Sequence, residues 1–169
     1  MFRLLTILIF FFTLIYAHPH TFMEVYPSIQ TQNNTIKQVD IKWIIDEMTS
    51  SMLIMEFDSN GDGKIDKKEN NYINKNYFST LKEFDYYTHT KQKYKVINFK
   101  ANIKNNKIEY NYSLVFSNKI NIKDFSMSFY DTDFFVSMVL KEQFVKQNIP
   151  HIVEDIDGDY YFGYKITYK

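Results

Sequence analysis

Ile36-Lys37-Gln38-Val39-Asp40-Ile41-Lys42-Trp43-Ile44-Ile45, followed at once by Asp46-Glu47-Met48-Thr49-Ser50-Ser51-Met52-Leu53-Ile54-Met55-Glu56-Phe57, holds the change of period on which the fold turns. In the first part Ile36, Val39, Ile41, Trp43 and Ile45 are apolar, with Lys37, Asp40 and Lys42 between them, which is strand patterning. In the second, Met48, Met52 and Met55, joined by Leu53 and Ile54, recur at helical spacing. Asp46 or Thr49 is a suitable cap for that helix. The spacing therefore predicts a helix whose methionine face is buried.

Working outward, the stretch Thr21 to Gln32 contains an extended segment, Phe22 to Tyr26, and ends at the turn signal Asn33-Asn34. With Ile36 to Ile45 it reads as a β-hairpin. Beyond the first helix, a second is expected from Asp66 to Leu81, burying Tyr72, Ile73, Tyr77 and Phe78. Further strands are expected at Phe84–Gln92, Val96–Lys104, Ile108–Phe116 and Phe125–Tyr130, with Asn105-Asn106 as a tight turn. Phe134 to Phe144 fits strand or helix. A last hairpin runs Ile152–Ile156, Asp157-Gly158-Asp159, Tyr160–Tyr168. The expected class is α+β: an antiparallel β-sandwich or curved sheet with a helix–loop–helix inserted after the second strand.

Between the two helices lies Asp58-Ser59-Asn60-Gly61-Asp62-Gly63-Lys64-Ile65-Asp66-Lys67-Lys68-Glu69. Calcium takes six to eight oxygen ligands, and a twelve-residue EF-hand loop supplies them from fixed positions. Asp58, Asn60 and Asp62 stand at positions 1, 3 and 5. Gly63 allows the sharp turn at position 6. Lys64 offers its carbonyl, Asp66 acts directly or through water, and Glu69 chelates with both oxygens. Ile65, at position 8, packs inward. The segment thus reads as an EF-hand spanning about 47–81. A second such loop is absent from the sequence, so calcium here is expected to brace two helices rather than operate a sensor.

Residues 1–17 read as a signal peptide: Arg3, an apolar run from Leu4 to Tyr16, and a small residue, Ala17, at the cleavage position. The run is too short for a membrane-spanning helix, which needs roughly 20 apolar residues. The expectation is a single exported domain, 18–169, not membrane-spanning after cleavage and periplasmic in location. Sixteen Phe and fourteen Tyr supply a core without disulfides, and there is no cysteine. That excludes thiolate metal sites and cysteine nucleophiles. Charge is balanced, with 20 Lys+Arg against 20 Asp+Glu, which argues against nucleic acid as a partner.

The histidines are His18, His20, His89 and His151. Cleavage after Ala17 would make His18 the first residue, offering its amine and imidazole together. Imidazole suits zinc, copper and nickel. His18 and His20 need completion by His89, His151 or a carboxylate such as Asp46, Glu47, Asp131 or Asp133. A solvated N-terminal arm is the plain alternative.

Several segments in order resemble one bacterial exported family: Ala17-His18-Pro19-His20-Thr21-Phe22, Trp43 to Glu47 with Ser50-Ser51, the loop Asp58 to Glu69, Tyr86 to His89, and Tyr130 to Phe135. The resemblance is to ZevA-like periplasmic proteins associated with nickel/cobalt/zinc-type permeases. It extends to about Val139. Thr132 stands where the family would have proline. The resemblance implies a periplasmic accessory to zinc or nickel/cobalt acquisition that captures metal or assists a membrane permease. The ligands it suggests are His18, His20, His89 and Asp131. The alternative is a calcium-stabilised adaptor that contacts a permease without holding transition metal. A copper oxidase built on His18 would need a third fixed nitrogen ligand. No nucleophile elbow, phosphate loop or HExxH motif is present, so no enzyme is expected.

Overall fold

The computed structural model describes residues 21–147, 149–159 and 161–168. The expected signal peptide, His18 and His20 lie outside the described residues.

Strands β1 (Thr21–Gln32) and β2 (Thr35–Ile45) form the expected hairpin. Its turn residues Asn33 and Asn34 have φ of 52° and 57°, the left-handed values that a two-residue hairpin turn demands and that asparagine tolerates. Helix α1 (Glu47–Phe57) follows without a linker, and α2 (Lys67–Ile73) comes after the acidic loop. A π-turn at Asn74–Phe78 and a 3₁₀ segment at Ser79–Tyr87 then lead to the short β3 (Thr88–His89). The chain continues through β4 (Tyr94–Lys104), β5 (Lys107–Asn121), β6 (Ser126–Tyr130), β7 (Val136–Val139), β8 (His151–Asp157) and β9 (Phe162–Tyr168).

The strands make two sheets, ordered β4-β5-β2-β1-β7 and β3-β6-β9-β8. The result is a strand-rich α+β fold in which both sheets contribute to one core. Trp43 sits in it with its ring centroid 5.0 Å from Tyr112 and 6.2 Å from Phe78. Val25, Val39, Leu114, Met127, Phe129 and Ile166 are buried in the same cluster. Alternation along β1, β2 and β5 directs every second residue inward, which is why those strands were legible.

Four expectations need correction. First, Met48, Met52 and Met55 do not face the core. They are 69%, 55% and 79% exposed, while α1 buries Thr49, Ser50 and Phe57. Leu53 and Ile54 do pack against the core, and the buried polar positions of α1 are held there by hydrogen bonds. Ser50 Oγ donates to Ile45 O at 3.0 Å and accepts the Ile108 N–H at 2.9 Å. Second, Phe84–Gln92 is not one strand. Asp85, Tyr86 and Tyr87 have φ of 50°, 49° and 50°, a left-handed run that ends strand geometry. Packing holds it there: Tyr86 and Tyr87 lie against Phe78 and Trp43, and Tyr94 Oη donates to the Asp85 carbonyl at 2.9 Å. Third, Tyr72 is exposed rather than buried, although the helical path itself continues past Ile73 through the π-helix Asn74–Phe78 into Ser79–Tyr87, as expected to about Leu81. Fourth, the sheets are not wholly antiparallel. β1 and β7 pair in parallel, Thr21 opposite Val136. The ambiguous stretch after Phe134 supplies β7 and a 3₁₀ turn at Glu142–Phe144.

Ser50→Ala should lower the unfolding free energy by about 2 kcal/mol, because it leaves a buried N–H and a carbonyl unpartnered. Urea denaturation measures it. A loss below about 0.5 kcal/mol, the scale of a neutral surface change, would mean that this bridge does not anchor α1.

Candidate metal centres

The acidic loop is organised by its own side chains. Asp58 accepts the N–H of Asp62 on Oδ1 at 3.1 Å and that of Gly63 on Oδ2 at 2.8 Å. Asn60 Oδ1 accepts the Asp62 N–H at 2.9 Å, and Asp62 Oδ1 accepts the Lys64 N–H at 2.9 Å. These bonds wind the loop around the carboxylates at its odd positions. Gly63 has φ of 77°, and nothing lies within 4 Å of where a Cβ would stand. Backbone conformation, not space, therefore calls for glycine there.

Asp66 caps α2, accepting the Glu69 N–H at 2.8 Å, while Glu69 Oε2 accepts the Asp66 N–H at 2.9 Å. This reciprocal pair is a capping box. Glu69 Oε1 also accepts the N–H and the hydroxyl of Ser59, at 2.8 and 2.9 Å. The buried Glu69 carboxylate thus ties the second loop residue to the last. The Asp66 N–H holds it below its ordinary pKa of 4.5, against partial desolvation, with Ser59 adding to the effect. As these side chains stand, no three His, Asp or Glu side chains among the described residues are gathered into a ligand group. The oxygen-only donor set has the chemistry of a hard cation such as calcium.

The loop is braced from outside by β4. Asn70 Oδ1 accepts the Ala101 N–H at 2.7 Å, next to the irregularity between Ile97 and Lys100. Ile65 packs on the core, as its position predicts.

A second corner gathers residues that are distant in sequence. β1 begins where Thr21 N–H donates to Phe135 O at 3.3 Å. Asp131, 3% exposed, closes that turn: Oδ1 accepts the Asp133 N–H at 3.0 Å, and Oδ2 accepts those of Phe135 and Val136 at 3.1 and 2.9 Å. Its carboxylate is engaged with backbone, a role legible in the Asp-x-Asp turn pattern. His89 stacks on Tyr130, centroids 3.8 Å apart, and its Nε2 lies 3.0 Å from Tyr130 O. A carbonyl only accepts, so Nε2 carries a proton, and in the neutral ring Nδ1 is then the nitrogen with the lone pair. Tyr87, raised to about 12 by burial and by the charges of Asp131 and Asp133, stays neutral beside them. His151 is elsewhere, on β8, with Nδ1 3.3 Å from Ile149 O.

Asp46 joins this corner to α1. Its Oδ2 accepts the Phe22 N–H at 2.9 Å, and its own N–H donates to Phe22 O at 2.9 Å. Burial raises the Asp46 pKa, but hydrogen bonds from the Thr49 N–H, the Phe22 N–H and the Thr49 hydroxyl outweigh it and leave it below 3.8. Sequence reading offered Asp46 as a cap or a ligand; its tie to Phe22 depends on strand pairing and has no local signal.

Among the described residues no helix is long and apolar enough to cross a membrane. The pattern of a family described as "Protein of unknown function (DUF1007)" matches residues 3–152. An "Uncharacterized 15.5 kDa protein in trpE 3'region" of Spirochaeta aurantia is 30% identical over 97 residues, covering 53% of this chain and 69% of that protein. An "Uncharacterized protein" of Haemophilus influenzae is 27% identical over 132 residues. That match covers 72% of this chain and 62% of the relative, less than two thirds of its length. No solved structure matches.

Asp46 and Glu69 have depressed folded pKa values, so their stabilisation is complete above the unfolded values of 3.8 and 4.5 and is lost as pH falls through the folded ones. Urea titrations in chelator should show an acid decline beginning near pH 4.5. In Glu69→Gln that decline should shrink. An unchanged acid limb in the variant would show that Glu69 is not one of the groups responsible.

Proposed function

On the premise that this chain belongs to the family described as Protein of unknown function (DUF1007), we propose that it is an exported, calcium-braced accessory to transition-metal acquisition. The reading includes cleavage near Ala17, periplasmic location, a sandwich carrying an inserted EF-hand, and the ZevA-like resemblance. Its metal would be zinc or nickel/cobalt, with copper the competing ion by intrinsic affinity. Its partner would be a membrane permease.

One observation carries the metal reading. Thr21, bonded directly to His20, starts β1 at the Asp131–Val136 turn, which follows the Tyr130 that His89 stacks on. Thr21, the first described residue after His18-Pro19-His20 in the sequence, stands at this corner. His89 Nδ1 is the donor best prepared there, since its other nitrogen is fixed by a carbonyl, as in metal-binding histidines. Asp131 contributes by shaping the turn and is the weaker candidate as a ligand.

Calcium at Asp58, Asn60, Asp62, Lys64, Asp66 and Glu69 would act as a brace. The loop lies between α1 and α2, and α2 is bonded to β4 through Asn70. Calcium at a hundredfold excess over its Kd should raise stability by about 2.7 kcal/mol, and Asp58→Ala should abolish the effect. Absence of any calcium-dependent shift in thermal unfolding would remove the brace.

The adaptor alternative draws support from Phe22 and Phe135, both exposed at this corner. Aromatic side chains are enriched at protein interfaces. Native mass spectrometry of the protein with free His18 separates the two. Capture predicts one bound zinc or nickel, lost in His18→Ala/His20→Ala and weakened in His89→Ala. Calcium alone, with no transition metal at micromolar concentration, favours the adaptor.

A further inference from the structure

We propose that Met48, Met52 and Met55 form a thioether site for a soft monovalent cation, copper(I) or its analogue silver(I), on the outer face of α1. The chain has seven methionines. Met23, Met127 and Met138 are buried in the core. Met48, Met52 and Met55 gather instead on one helix and are exposed. Steps of four and three residues put neighbours on one helical face, with Cβ atoms about 5–6 Å apart. Methionine's three rotatable side-chain bonds let the sulfur atoms converge from that spacing.

The helix cannot turn this face inward. Asp46 caps it through the Thr49 N–H at 2.9 Å, Ser50 fastens it to β2 and β5, and Phe57 buries its end. The methionines therefore do not contribute to the core. Helix propensity does not require them either, since leucine, lysine, arginine and glutamine serve equally well. What sets methionine apart from those residues is a soft, uncharged sulfur donor.

Thioethers select copper(I), whereas carboxylates suit hard cations. The nearby Glu56 carboxylate is engaged by the hydroxyls of Tyr72 and Tyr77. This site shares no residue with the acidic loop or the histidine corner, so it stands or falls independently of the proposed function.

The test is native mass spectrometry of the purified protein with silver(I), and with copper(I) under anaerobic conditions, in excess zinc and calcium. One soft ion per chain should bind in the presence of zinc. Met48→Leu/Met52→Leu/Met55→Leu preserves apolar character and helix propensity, so circular dichroism should be unchanged. Its affinity for silver(I) should fall by about a hundredfold or more. His18→Ala/His20→Ala should leave that affinity intact. No adduct, an adduct unchanged by the leucine variant, or loss of the adduct in the histidine variant would each overturn the proposal.

Discussion

The carboxylate of Asp46 is the joint on which the other elements depend. It stands where the alternating period ends and the helical period begins. One oxygen accepts the Thr49 N–H and the other accepts the Phe22 N–H and the Thr49 hydroxyl. A single side chain thereby fixes the end of β2, the start of β1 and the first turn of α1. Such a cap satisfies backbone donors that the helix itself leaves open. The bond to Phe22 adds a tertiary constraint on the direction in which α1 leaves the sheet.

That direction determines where the acidic loop falls. α1 is fastened along its polar side by Ser50, and the chain returns through α2 to meet β4 at Asn70. The loop consequently sits near β4, the edge strand of its sheet. Its carboxylates organise the backbone N–H groups of the loop. The electrostatic cost of gathering several acids is reduced by those N–H dipoles, and Glu69 illustrates it through its lowered pKa.

The molecule also separates donor types in space. Oxygen donors lie in the loop between the helices. His89 sits in the second sheet, near the turn where β1 begins. Sulfur donors line the outer face of α1. Hard, borderline and soft cations prefer these three classes in turn. Topology sets these places: the parallel β1–β7 pair brings the start of β1 to the Asp131 turn, and the hairpin puts the end of β2, where α1 begins, beside that same start of β1.

The sequence by itself determined the hairpin, the two helices around the loop, and most later strands. Each rests on a local signal: alternation from Ile36 to Ile45, paired asparagines at the turns, and glycine at position 63 where φ is positive. Asp66 and Glu69 were likewise legible as loop members, from their places in the twelve-residue pattern. Only the tertiary structure decided which face of α1 is buried. Periodicity marks the methionine face as apolar, but the sheet meets Thr49, Ser50 and Phe57 because hydrogen bonds to Ile45 and Ile108 hold that side inward. It also decided the left-handed run at Asp85–Tyr87 and the parallel pairing of β7 with β1. Tyr87 packs on Trp43 and β7 pairs with the start of β1, and both contacts join residues too far apart in sequence for any short window to register.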